Sequence, residues 1–233
     1  MIDYALDAGI ARITLDTPDT NNHFTYRLMQ DYIAALQQAH DSGADILVID
    51  AKGPDFTLGR DQKEKVPGIA PKENLGLILK ANALLRSFPG ASVALVQGRA
   101  FGFGSGISLH ASISLAADDA QFGFDEIAHN LAPLVVVAYL PHFISPRVAE
   151  ELVLTGRIVS ADEALRIGLV TRVVPAARLA EEGQALVRQL SQRHAGAIRV
   201  VRKYALGLPG YPTAEQSQAA VDTLAAWIQA GKP

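Results

Sequence analysis

The chain has 233 residues, of which 49% are hydrophobic and 19% charged, a globular composition that excludes an intrinsically disordered protein. Its net charge of −3 is too small to indicate a nucleic acid or an anionic membrane surface as partner. The absence of cysteine excludes disulfides, thiolate nucleophiles and Cys-ligated metal sites.

The N-terminus and the apolar runs predict neither export nor membrane insertion. The first residues, MIDYALDAGIARITLD, alternate in polarity and carry acids, unlike a secretory signal or an Arg-rich transit sequence. The longest apolar run, LAPLVVVAYL at 131–140, is too short to span a bilayer. We therefore expect a soluble, cytoplasmic protein with no membrane partner.

The first part of the chain alternates strand and helix patterns. Apolar residues at helical spacing predict helices over 24–39 and 73–88, and a short helical piece follows the glycines near residue 104. Short apolar runs predict strands at 11–15, 45–50, 92–98 and 113–117. Strands separated by helices favour crossover connections on a mostly parallel sheet, and hence the α/β class.

Beyond Pro141 the pattern becomes mostly helical. The single strand-like stretch there is VTRVV at 170–174. Helices are predicted over 146–155, 161–167, 178–193 and 213–230. This change near residue 145 predicts an α/β core over 1–145 and a helical region over 146–233.

Three glycines, at positions 102, 104 and 106, follow a predicted buried strand. A dinucleotide-binding fingerprint would need glycine at Ile107, and neither a hydrolase nucleophile elbow nor a phosphate-binding loop fits the spacing. Two interpretations stay open. The glycines either shape an oxyanion hole made of backbone N–H groups, or they allow a helix to pack closely on the sheet.

Four segments, in order, resemble the crotonase family, also called the enoyl-CoA hydratase/isomerase superfamily. They are DTPDTNNHFTYRLMQDYIAAL, GPDFTLGRDQKE, ALVQGRAFGFGSGISLHASISLAADDAQFGFDEI and LTGRIVSADEALRIGLVTRVVP. The resemblance implies a spiral core of ββα units with a helical C-terminal trimerisation region, assembled as a homotrimer or hexamer. It also implies an acyl-CoA thioester substrate, with coenzyme A present only as part of that substrate and no other cofactor.

The resemblance also implies site residues. The family holds a thioester enolate with two backbone N–H groups, which fall here on Arg60 and Phe103, where family members commonly carry a small residue and glycine. These two larger side chains are expected to alter how the thioester sits. Further substrate or CoA contacts fall on Gly59, Asp61, Gly102, Gly104, His129 and Lys203, and no metal site is expected because the histidines lack HExxH spacing.

The catalytic carboxylate implied by the resemblance is Glu126. Family hydratases hold water between two glutamates, but Gly106 occupies the first of these positions here. The pattern is therefore closest to the family's Δ3,Δ2-enoyl-CoA isomerases, in which one glutamate moves a proton from C2 to C4 of a 3-enoyl thioester. Burial among Phe122, Phe124, Ile127 and Leu131 is expected to raise the pKa of Glu126.

Other interpretations remain at this level. Glu126 could instead be a paired carboxylate or cap the helix after Pro133. The chain could also catalyse hydration or thioester hydrolysis with an acid from an unaligned position, or be a catalytically degenerate protein that binds acyl-CoA or only assembles with partners.

Overall fold

The computed structural model describes residues 1–207, 210 and 213–230. The described residues form two sheets. Their strands are β1 (Ile2–Asp7), β2 (Ile10–Leu15), β3 (Ile46–Ala51), β4 (Ala91–Val96), β5 (Arg99–Phe101), β6 (Ile113–Ala117), β7 (Gln121–Gly123), β8 (Val159–Ser160) and β9 (Arg172–Val174).

The larger sheet has six strands in the order β1-β2-β3-β4-β6-β9. β1 and β2 form an antiparallel hairpin, turned by Ala8 and Gly9, which both have positive φ. The remaining neighbours are parallel, and β3 and β4 pair with Ile49 opposite Ala94. The continuous apolar runs of β3 and β4 are buried because helices cover both faces of the sheet.

The helices connect these strands and cover the sheet. Their bounds are α1 (Tyr26–Asp41), α2 (Pro71–Ser87), α3 (Phe103–His110), α4 (Leu134–Tyr139), α5 (Pro146–Thr155), α6 (Ala161–Ile167), α7 (Leu179–Ser191), α8 (Ala195–Leu206) and α9 (Ala214–Gln229). α1 packs on α2, α7 packs on the sheet, and α9 packs on both α2 and α4. The successions β1-β2-α1 and β4-β5-α3 are two ββα units.

The predicted α/β class is confirmed, and several elements have the predicted bounds. β6, α5 and α6 coincide with the predictions. The strand predicted over 92–98 ends at Val96, because Gly98 has a φ of +54° and leaves the extended conformation. The helix α8 and the short strands β5, β7 and β8 were not predicted. The strands have only two or three residues, too few to show a period.

The division at residue 145 stays a prediction. Strands from both sides of it pair with one another, because β8 joins β7 and β9 joins β6. In the described part of the chain, no helix is both long and apolar enough to cross a membrane.

Candidate active site

Two backbone segments meet beyond the carboxyl ends of β3 and β4. Residues 57–60 run beside β5, with Thr57 N–H donating to Arg99 O (3.1 Å) and Phe101 N–H donating to Thr57 O (3.0 Å). Gly59 has a φ of +80°, and a Cβ there would lie 2.6 Å from Phe101 O and 3.2 Å from Phe103 N. Only glycine permits this approach, which brings Arg60 next to the start of α3.

Within the described residues, the N–H groups of Arg60 and Phe103 both have no hydrogen-bond acceptor. Gly59 O accepts from Phe24 N–H (2.8 Å), and Asp61 N–H donates to Phe24 O (3.0 Å). These two hydrogen bonds are made by the neighbours of Arg60 and do not involve the Arg60 N–H itself. Phe103 is the first residue of α3, where an N–H has no partner within the helix. Two unpaired donors beside a cavity can hold a developing oxyanion.

The three clustered glycines have different neighbours. Gly102, with a φ of +50°, makes the turn into α3, and a Cβ there would lie 3.0 Å from Glu126 Oε1. A Cβ on Gly104 would lie 2.7 Å from Thr57 Cγ2, and one on Gly106 would lie 3.0 Å from the Tyr139 hydroxyl. Gly102 therefore shapes the turn, whereas Gly104 and Gly106 permit close packing.

Glu126 lies in a 3-10 turn, Asp125–His129, that follows β7. Its Oε2 is buried and, within the described residues, accepts no hydrogen bond. Burial, with a smaller contribution from the charge of Asp125, raises the pKa of Glu126 to about 7. Such a carboxyl can both take up and release a proton near neutral pH.

The surroundings of Glu126 differ in part from those expected. Phe122 and Phe124 are fully buried, but Ile127 is 38% exposed and does not enclose the carboxyl group. The alternative role as a cap is wrong, because α4 has no side-chain cap. Among the described residues Glu126 also forms no ion pair.

A cavity of about 420 Å³ opens beside Glu126 and the two N–H donors. Helices α2, α4 and α9 supply mostly apolar walls. The wall residues from these helices are Pro71, Asn74, Leu75, Ile78, Val135, Val136, Tyr139, Leu224 and Ile228. A mostly apolar cavity with a few convergent polar groups suits a small organic ligand.

The predicted contact residues are only partly brought together. Gly102 and Asp61 line this cavity; the Asp61 carboxylate accepts from Lys63 N–H (2.9 Å). His129 lies 3.2 Å from Asp125, and both line an adjoining cavity of about 800 Å³. Gly59 and Gly104 act through the backbone packing described above.

Lys203 is not brought to either cavity. It is exposed on α8. Arg199 on the same helix donates from Nη2 to Asp45 Oδ1 (2.8 Å), and Asp45 directly precedes β3. That is the opposite end of the sheet from the two donors. Within the described residues there is also no cluster of three or more His, Cys, Asp or Glu that could hold a metal ion.

The ring of Phe103 points away from the cavity. It is 6% exposed and packs edge to face on Phe24 and Tyr32, with ring centroids 5.0 and 6.0 Å apart. This packing argues against a steric effect of the Phe103 ring on the thioester, and the expected effect stays a prediction.

One side chain of the cavity, that of Tyr139, was missed by sequence reasoning, and the polar contacts of another, that of Arg60, were not predicted. The Arg60 side chain lies in the cavity wall; Nη2 donates to Asn74 Oδ1, and the buried Nη1 has no acceptor within the described residues. The Tyr139 ring packs on His110 (4.8 Å), and its hydroxyl faces Gly106. The usable signal for Tyr139 was its helical spacing from Val135, which places both on one face of α4.

Comparison with known proteins extends the likeness over the whole chain. A family model described as Enoyl-CoA hydratase/isomerase matches residues 5–226. A Mycobacterium bovis protein named probable enoyl-CoA hydratase echA8 is 31% identical over 201 residues, covering 84% of this chain and 77% of that protein.

Solved structures of similar proteins superpose on nearly every residue. A probable enoyl-CoA hydratase from Mycobacterium thermoresistibile is 28% identical, with a TM-score of 0.85, and covers 98% of this chain and 97% of its own. An enoyl-CoA hydratase from Mycobacterium avium subsp. paratuberculosis K-10 is 25% identical, with a TM-score of 0.88, and the match covers 98% of this chain and 93% of that one. The likeness therefore includes the segments that form the site.

Proposed function

Since the chain belongs to the enoyl-CoA hydratase/isomerase family, we propose that it converts 3-enoyl-CoA to 2-enoyl-CoA by a 1,3-proton shift. The observation that carries the proposal is Glu126. This buried carboxyl group, with a pKa of about 7, lies beside two free N–H groups at a mostly apolar cavity.

The proposed reaction uses Glu126 as both base and acid. Its carboxylate takes a proton from C2, and the electron pair moves toward the thioester carbonyl to give an enolate. The N–H groups of Arg60 and Phe103 hold the enolate oxygen, each lowering the barrier by about 3 kcal/mol. The double bond forms between C2 and C3, and Glu126 returns the proton to C4, so atoms and electrons balance without a further reactant.

In the part of the chain that the structure describes, no second carboxylate stands free beside Glu126, which favours isomerisation over hydration. The space beside Gly106 is taken by the Tyr139 hydroxyl. Burial, and then the charge of Glu126, raises the pKa of Tyr139, so that it stays neutral and cannot act as a carboxylate would. Asp125 is paired with His129, and Glu64 accepts from Tyr26 N–H (2.6 Å).

The second candidate function is hydration of 2-enoyl-CoA. Two observations favour it: the relatives compared above are named hydratases, and the Tyr139 hydroxyl could hold a water molecule beside Glu126. The two reactions are distinguished by their substrates, because the isomerase consumes a 3-enoyl thioester and the hydratase adds water to a 2-enoyl thioester.

We also propose that the adjoining cavity takes the coenzyme A part of the substrate. It shares Leu58, Arg60 and Asp61 with the acyl cavity, and Lys63 supplies positive charge for phosphates, whereas the charge of Arg99 is paired with Asp55. Gly102 and His129 would contact the substrate, whereas Gly59 and Gly104 would act through the packing that places the two N–H donors. No other cofactor is required.

The assembly proposed is a homotrimer or hexamer. Its support is a group of apolar side chains exposed on α8, which would be covered by another protomer. Val200, Val201 and Tyr204 are 69%, 66% and 73% exposed in the single chain. Lys203 lies among them, so its proposed contact with CoA would have to reach a neighbouring protomer.

The test is an isomerase assay on 3-enoyl-CoA with Glu126→Gln, together with a titration with acetoacetyl-CoA. We expect the variant to lose at least about a thousandfold in kcat while still binding the thioester, because only the proton carrier is removed. Asp119→Asn, which changes an exposed carboxylate outside both cavities, is the matched control and should keep most of the activity. Isomerase activity indifferent to Glu126 would contradict the proposal, and failure to bind thioesters would leave a protein that only assembles.

A further inference from the structure

We propose that the acyl group of the substrate carries a carboxylate, and that the guanidinium of Arg60 binds it. The inference rests on the proposed function, because it assigns a substrate class to the same cavity. The acyl-CoA would then be a short dicarboxylic thioester rather than a plain fatty acyl-CoA.

The first argument is the state of the Arg60 side chain. Its Nη2 is bound by the neutral amide of Asn74, and its Nη1 is buried with no acceptor within the described residues. A buried guanidinium is unfavourable unless an anion and hydrogen bonds compensate for its lost hydration. Burial lowers the pKa of Arg60 to about 10, so the group remains charged at neutral pH.

The second argument is that the nearby carboxylates are engaged elsewhere. Glu64 and Asp61 are close enough for their charges to favour the charged form of Arg60, but neither forms an ion pair with it in the described structure. Glu64 accepts from Tyr26 N–H at the start of α1, and Asp61 accepts from Lys63 N–H. No carboxylate of the described residues therefore pairs with the Arg60 guanidinium, and an anion bound in the cavity that Arg60 lines would compensate its charge.

The third argument is position. The Arg60 N–H is one of the two donors for the thioester oxygen, and its side chain reaches Asn74 in the first turn of α2. An acyl chain that leaves the thioester and enters the cavity therefore passes this guanidinium within a few carbon atoms. The partial positive charge of a helix N-terminus adds to the attraction for an anion there.

Among the described residues the cavity lining includes two cations, Arg60 and Lys65, and of these two only Arg60 also supplies a donor for the thioester oxygen. Leu75, Ile78 and Val136 would contact the methylene groups, whereas Arg60 would bind the carboxylate. Asn74 accepts from Arg60 with Oδ1, so its amide nitrogen remains as a second donor. A charged hydrogen bond of this kind discriminates by about 10- to 100-fold between a carboxylate and a methyl group.

The experiment compares the binding of glutaryl-CoA and pentanoyl-CoA, which have equal chain lengths, by isothermal calorimetry. The wild type should bind glutaryl-CoA at least about tenfold more tightly. In Arg60→Met this ratio should fall to one or below, and in Arg60→Lys it should be intermediate. Lys65→Met changes another cation at the cavity and should leave the ratio unaltered.

Three results would overturn the inference. These are a wild type that prefers pentanoyl-CoA, a ratio unchanged by Arg60→Met, or an equal effect of Lys65→Met.

If the wild type prefers the uncharged thioester but isomerises 3-enoyl-CoA through Glu126, only the inference fails. If it binds neither thioester, the proposed function fails with it. The wild-type ratio decides the matter even if Arg60→Met does not fold.

Discussion

At the scale of the residue, Glu126 couples activity to pH. With a pKa of about 7 in the free protein, it is ionised in only part of the molecules at neutral pH. Since the proposed base must be ionised to take the proton from C2, kcat/KM for 3-enoyl-CoA should rise with pH and level off above about 8. A pH profile with its midpoint near 4.5 would contradict this, because it would mean that the carboxyl group is hydrated.

The same carboxyl group should couple stability to pH. Its pKa is raised from 4.5 to about 7 on folding, so the folded state holds its proton more tightly than the unfolded state. The resulting stabilisation is complete below pH 4.5 and is lost as pH rises through 7.

Glu126→Gln removes this dependence. Relative to wild type, the variant should gain about 2 kcal/mol in free energy of unfolding between pH 5 and pH 8. Urea denaturation at both values measures it, with Asp119→Asn, at an exposed carboxylate, as the control. An equal difference between wild type and Glu126→Gln at both pH values would mean that Glu126 is not buried as described.

At the scale of the element, α3 is the helix on which the site is built. At its N-cap and in its first turn, three glycines have no Cβ. The Glu126 carboxylate approaches Gly102, the loop at Thr57 approaches Gly104, and the Tyr139 phenol approaches Gly106. The helix is only eight residues long and buried throughout, so its stability comes from these contacts rather than from propensity.

Gly104→Ala should therefore destabilise the protein. The new Cβ would lie 2.7 Å from Thr57 Cγ2 and 3.0 Å from Thr57 O, so the loop carrying Arg60 would have to shift. We expect a loss of about 2 kcal/mol in thermal or urea unfolding. In α2, Gly76 is the matched control, because a Cβ there meets nothing within 4 Å and Gly76→Ala should stabilise by up to about 1 kcal/mol.

The contact of α3 with α4 can be used to test the proposed preference for isomerisation over hydration. Gly106→Glu alone should lose stability, because its Cβ would lie 3.0 Å from the Tyr139 hydroxyl. Gly106→Glu combined with Tyr139→Ala opens that space and should gain hydration of 2-enoyl-CoA, measured by loss of its conjugated absorbance. Hydratase activity already present in the wild type at the level of the double variant would instead favour the second candidate function.

At the scale of the whole molecule, the parts predictable from the sequence were those with a local signal. β3, β4 and β6 are continuous apolar runs, and α5 and α6 show helical spacing. The crotonase-like fold implied by the resemblance is confirmed by the solved structures that it matches. The direction of the Arg60 side chain and the approach of Tyr139 to Gly106 could not be predicted, because each depends on elements far apart in the chain.

The assembly proposal makes a prediction of its own. If Val201 and Tyr204 on α8 are covered by a neighbouring protomer, Val201→Asp with Tyr204→Asp should reduce the mass measured by light scattering to that of a monomer. Leu154→Asp is a control at another exposed apolar residue, 67% exposed, on α5. A wild type that is monomeric at all concentrations would refute the trimer.

The position of the Phe103 ring has a consequence for how the protein responds to heat. Its side chain is fixed between Phe24 and Tyr32 in the core, so the N–H on the same residue cannot drift while the core is intact. Segments near the surface open locally long before the core does. Thermal inactivation should consequently be abrupt and coincide with unfolding, rather than a gradual loosening of the catalytic centre.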